Sequence, residues 1–88
     1  MSEAPPLTPL QIRLAKAALG MSNPQVSRET GIHANTINSA EKPGGRAHRS
    51  TLMSLRSFFE SKGVIFIPEN GGPEGVRYAA PDTSGGLE

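Results

Sequence analysis

Two helix-start signals stand close together in this chain, at Thr8-Pro9-Leu10-Gln11 and again at Ser22-Asn23-Pro24-Gln25. Each offers a hydroxyl to accept from the free N–H groups of a helix, a proline in the first turn, and a glutamine placed to bond back to the cap. Between them, Ile12, Ala15 and Leu19 follow helical spacing along one apolar stripe, and Gly20 supplies a stop. The second helix has room for barely two turns before Gly31. Such punctuation specifies short helices joined by tight turns.

The rest of the chain continues the pattern and then changes period. Ile32 is apolar, and His33 opens a third helix through about Glu41 with Ile37 as its inward residue. Lys42-Pro43-Gly44-Gly45 breaks the chain. Ser50 is a good N-cap for a fourth helix carrying Leu52, Leu55 and Phe59 on one face, with Gly63 after its end. Val64-Ile65-Phe66-Ile67 is a short β-type run; a turn-rich stretch from Pro68 to Pro73 and then Val76-Arg77-Tyr78 follow. The expected architecture is mainly α, with four to five short helices and a C-terminal strand pair or hairpin. Residues 1–6 read as a flexible arm, 7–63 as the helical domain, 64–78 as the β region and 79–88 as a disordered tail.

Leu19 to Glu41 holds the informative part: a short helix, a turn at Gly31, and a second short helix, the pattern of a helix-turn-helix. Gly31 permits the left-handed or closely packed backbone needed where helices meet steeply. Ser27 is small enough to let them approach, and Val26, Ile32 and Ile37 supply the wedge that fixes the angle.

Composition narrows the function. Eighty-eight residues give one small domain with no room for a separate ligand-sensing unit. There is no cysteine, and His33 and His48 are too few to hold a structural zinc unaided, so no metal or cofactor is expected. No apolar run reaches the roughly 20 residues of a membrane span, and the N-terminus carries no signal-peptide pattern, so the expected location is the cytoplasm, beside the nucleoid. Glu29 and Glu41 fall on different helices without a nucleophile or metal set, so nothing reads as an enzyme and no catalytic residue is assigned. The glycines near residue 71 open no helix and lack the lysine of a phosphate-cradling loop. The net charge of +1 hides an asymmetry: residues 1–62 hold eight Lys/Arg against four Glu, whereas residues 63–88 hold Arg77 against four acids. A polyanion would meet the first part of the chain, with the acidic end facing away.

Leu19-Gly20-Met21-Ser22-Asn23-Pro24-Gln25-Val26-Ser27, followed by Gly31-Ile32-His33-Ala34-Asn35-Thr36-Ile37-Asn38-Ser39-Ala40-Glu41, resembles the Cro/CI-repressor (XRE) helix-turn-helix family. The segments Ser50-Thr51-Leu52 to Val64, Phe66-Ile67, Asn70-Gly71-Gly72 and Gly75-Val76-Arg77 resemble short regulators of alphaproteobacteria, so the likeness covers about residues 7–78. The chain departs from the pattern where Asn23 replaces glutamine, Pro24 an acidic residue, Ser27 alanine, His33 a Ser/Thr cap, and Ala40 a larger apolar residue.

The resemblance implies that the third helix enters the major groove of DNA. It nominates Ala34, Asn35 and Ser39 for base readout, with Asn23, Gln25, His33, Thr36 and Asn38 near the backbone or groove wall. Asparagine can pair bidentately with adenine, serine can bond either base type, and alanine can touch a thymine methyl. The family also implies a structural ion pair between Lys16 and Glu41. From the residues themselves, Lys42, Arg46, His48 and Arg49 beside a helix start form a second, phosphate-favouring surface, while Arg13, Arg28 and Arg56 read as solvated surface. The partners expected are a double-stranded operator and a second copy, paired through Val64, Ile65, Phe66 and Ile67, with RNA polymerase or another protein as a further contact. On this reading the chain is a dimeric repressor or autoregulator on a palindromic operator. The alternative is a protein-interaction module, an antitoxin or anti-activator, using the helix-turn-helix or the β surface.

Overall fold

A computed structural model describes residues 6–69 and 71–78. The expected arm at residues 1–5 and the tail at 79–88 lie outside the described residues. Four helices, α1 (Pro9–Leu19), α2 (Asn23–Thr30), α3 (Ala34–Glu41) and α4 (Arg49–Ser61), precede strands β1 (Val64–Ile67) and β2 (Gly75–Tyr78). The strands pair antiparallel, with Val64 opposite Tyr78, Ile65 opposite Arg77, Phe66 opposite Val76 and Ile67 opposite Gly75. The fold is mainly helical with a C-terminal hairpin.

Both helix-start signals close as reciprocal capping boxes. Thr8 Oγ1 accepts from the Gln11 N–H at 3.1 Å while the Thr8 N–H donates to Gln11 Oε1 at 3.2 Å. Ser22 Oγ accepts from the Gln25 N–H at 3.3 Å, and the Ser22 N–H donates to Gln25 Oε1 at 2.8 Å. At the end of α1, Gly20 adopts φ 66°, and the Met21 N–H folds back to the Lys16 carbonyl at 3.0 Å. The start of α4 departs from expectation. Its N-cap is His48, which makes no side-chain cap bond, and the Leu52 N–H already bonds the His48 carbonyl at 3.0 Å. Ser50 therefore lies inside the first turn.

One core joins all six elements. Leu7 leads into α1, which contributes Ile12 and Ala15; α2 contributes Val26, and α3 contributes Ile37 and Ala40. Leu52, Leu55 and Phe59 enter from α4, and Val64 and Phe66 from β1. Strand alternation explains the last pair, because successive side chains point to opposite faces. The four residues expected to pair two copies are thus split. Val64 and Phe66 pack into their own subunit, Ile67 is half-buried, and Ile65 is 51 % exposed. Phe66 meets the Phe59 ring edge-on at 6.3 Å between centroids, so it is core and unavailable to a second copy.

Candidate nucleic-acid interface

The turn between α2 and α3 is built from local chemistry. Gly31 takes φ 80°, and its N–H bonds the Ser27 carbonyl at 2.8 Å. Thr30 Oγ1 donates to the Val26 carbonyl at 2.8 Å and accepts from the Ile32 N–H at 3.1 Å, bracing the turn on both sides. Val26 and Ile37 are fully buried, and Ile32, partly buried, packs against the core they belong to. His33 caps α3: its Nδ1 accepts from the Asn35 N–H at 3.1 Å, so Nε2 carries the proton in the neutral ring.

With Ile37 and Ala40 turned inward, α3 presents Asn35, Asn38 and Ser39 to solvent, and Ala34 and Thr36 are half-exposed at the flanks. No charged side chain precedes Glu41 on this helix. Asparagine and threonine are poor helix formers, and no i,i+4 ion pair offsets them here, so the face gives up stability for an uncharged polar surface.

That surface continues into a cleft. Asn35, Thr36 and Ser39 share an open depression of about 570 Å³ with Arg46, Ala47, His48 and Thr51, the last from the first turn of α4. The turn after α3 brings these elements together. Gly44 takes φ 76°, the Gly45 N–H bonds the Lys42 carbonyl at 2.6 Å, and a Cβ on Gly45 would lie 2.0 Å from the Ser39 carbonyl oxygen. Only glycine fits so close to the backbone of α3. Lys42 and Arg49 are exposed on either side of this turn, and Asn38 lies outside the cleft. Gln25 is exposed while its Oε1 closes the capping box of α2.

A polar cluster fixes α3 against α1 and α2. Lys16 Nζ lies 2.5 Å from Glu41 Oε1, both side chains about 85 % buried, so the pair implied by the resemblance is formed. Asn23 joins it: its Nδ2 donates to Glu41 Oε2 at 2.9 Å, and its Oδ1 accepts from Lys16. The Asn23 amide, expected near the DNA backbone, is thus bonded within the domain to Lys16 and Glu41. Burial pushes the Glu41 carboxyl up, but hydrogen bonds from Lys16 and Asn23, with the charges of Lys16 and Arg13, hold it below the ordinary glutamate value.

Two arginines expected as solvated surface have structural partners. Arg13 donates from Nη1 to the Glu41 carbonyl, placing a cation at the C-terminal end of α3, where the helix dipole favours it. Arg56 donates to the Pro6 carbonyl at 2.8 Å and to Glu60 at 3.0 Å, and lies 5.3 Å from the Phe66 ring centroid. Arg28 stays exposed. Sequence reasoning also missed Thr51, Ala47 and Thr30. Thr51 precedes Leu52 on the helix, and its cleft-facing position follows from the phase of Leu52 and Leu55. No signal in the sequence announced the long-range bonds of Arg13 and Arg56.

Among the described residues no helix is long and apolar enough to cross a membrane. No protein-family model, characterised protein or solved structure matches the chain.

Proposed function

We propose that this chain is a sequence-specific regulator that binds double-stranded DNA, reading bases with α3 and holding phosphates with residues 42–51. The observation that carries the reading is the continuity of two chemistries. The uncharged hydrogen-bonding face of α3, with Asn35 and Ser39, runs into a cleft that also contains Arg46, His48 and the first turn of α4. Amides and hydroxyls discriminate base edges in a major groove, whereas cations and free helix N–H groups favour phosphate.

The regulator acts as a homodimeric repressor or autoregulator of the Cro/CI kind. A single reading helix contacts too few base pairs to be selective, and two-fold pairing doubles the contacts while imposing symmetry on the operator. Ile65, exposed on a two-stranded hairpin, supports pairing through the β region.

Selection from a random duplex library tests the reading. The chain should enrich a palindromic site, with affinity falling steeply as salt rises and selectivity surviving competitor DNA. A chain that enriches nothing, binds duplex DNA without salt dependence, and instead captures a protein partner is an interaction module.

A further inference from the structure

We infer that Asn23 is a positioning residue for base readout: it sets the pitch of α3 through Glu41 and touches no DNA. The inference rests on the DNA-binding reading above and adds the device that aims the reading helix.

Asn23 is the first residue of α2, yet its side chain belongs to the seam between three helices. Its Nδ2 reaches Glu41 Oε2 on α3 at 2.9 Å, and its Oδ1 takes a hydrogen bond from Lys16 on α1. One amide thus satisfies an anion and a cation at once, donor toward the carboxylate and acceptor toward the ammonium. The charged groups facing it are Lys16 from α1 and Glu41 from α3, with Arg13 of α1 bonded to the Glu41 carbonyl. No buried side-chain polar atom among the described residues lacks a partner.

The consequence for α3 is geometric. Ile37 and Ala40 seat this short helix along one apolar stripe against α1 and α2, so polar bonds at its end can add to how its exposed face is aimed. Glu41 is its last residue, on the same short helix as the exposed Asn35 and Ser39, so what holds Glu41 bears on the direction in which they point. Three bonds meet at Glu41: Lys16 and Asn23 on its carboxylate, and Arg13 on its carbonyl. Asn23 is the one that comes from α2, so it ties the angle of the helix-turn-helix to α1. Ion pairs have weak directionality, while hydrogen bonds from an amide weaken steeply as they bend, so they prefer a narrower range of angles. Asn23 therefore supplies orientation to a pair that otherwise supplies charge.

A direct phosphate contact and a positioning role predict different losses. A phosphate contact weakens binding to every sequence alike, whereas a tilted reading helix loses preference while retaining its affinity for random DNA. The test uses the full chain and the duplex it enriches from a random library. The ratio of affinities for that duplex and a scrambled one is measured at a temperature where every variant is folded. Asn23→Ala should lower this ratio roughly tenfold with little change on scrambled DNA. Glu41→Ala should do the same, and the double variant should lose about as much as either alone, since both break one device. If Glu41→Ala does not fold, Lys16→Met closes the cycle from α1.

Equal losses by Asn23→Ala on both duplexes overturn the inference and make Asn23 a direct contact. Losses that multiply in the double variant overturn it by showing that Asn23 does not act through Glu41. An unchanged ratio also overturns it. If the wild-type chain enriches no duplex, the DNA-binding reading falls first and this inference falls with it.

Discussion

The side-chain amide of Gln11 donates from Nε2 to the Ile67 carbonyl at 3.1 Å, joining the first turn of α1 to the end of β1. The same nitrogen lies 3.4 Å from the Gly75 carbonyl on the facing strand, while Oε1 accepts from Thr8. One buried glutamine therefore caps a helix and clasps the mouth of the hairpin. Gln11→Leu keeps much of the volume but removes these bonds to backbone groups, so it should cost about 1–3 kcal/mol by urea denaturation. Gln25→Leu is the control, because Gln25 has the same capping role on an exposed surface and should cost only about 1 kcal/mol. Equal losses would mean that the clasp contributes nothing.

Gln11 also marks the limit of what could be read in advance. Its capping role was legible, because Thr8, Pro9 and Gln11 are neighbours and local chemistry decides the cap. Its bond to Ile67 was not, because 56 residues separate the two and only the packed fold brings them together. The same division holds for Arg13 and Arg56, whose partners lie 28 and 50 residues away. The strand at 64–67 was legible in its extent, but alternation left open which face the core would take. Core packing took Val64 and Phe66. Ser50 was misplaced for the opposite reason. A good capping residue is a local preference, and α4 begins earlier, with the His48 carbonyl accepting from Leu52 and Ala47 packed against the core. Of the candidate surface, α3 and the basic loop were legible; the bonds of Asn23 within the domain and the presence of Thr51 were not.

The charge cluster under α3 gives a pH dependence with a defined sign. The Glu41 carboxyl is held below its ordinary value in the folded chain, so the unfolded chain binds its proton more readily. The pair therefore stabilises the fold at neutral pH, and that contribution is lost as pH falls from the ordinary glutamate value through the folded one. Urea midpoints measured from neutral to strongly acidic pH should fall more for the wild type than for Glu41→Gln. Parallel curves would show that the pair contributes no differential stability.

Readout and phosphate contact should separate by mutation. Asn35→Ala should cost about 1–3 kcal/mol on the selected duplex and almost nothing on random DNA. Arg46→Ala should weaken binding to both and reduce the salt slope by about one unit. Binding isotherms at several salt concentrations check both. A reduced salt slope in Asn35→Ala, or a loss confined to the selected duplex in Arg46→Ala, would reverse the assignment.

The hairpin provides a test of pairing that does not disturb the core. Ile65→Asp changes an exposed side chain, so the chain should stay folded while dimerisation weakens in sedimentation. Phe66→Asp puts a charge among Phe59 and its neighbours and should unfold the domain. If Ile65→Asp leaves the dimer intact, two copies pair elsewhere.

Titration of the isotopically labelled chain with the selected duplex, followed by amide chemical shifts, tests the proposed surface most directly. The largest changes should fall on residues 33–39 and 42–51, with the N-terminal turn of α4 included and the Lys16–Asn23–Glu41 seam moving little. Changes centred on β1 and β2, or on the exposed outer face of α4 around Met53, with α3 unmoved, would contradict the assignment of α3 as the reading helix.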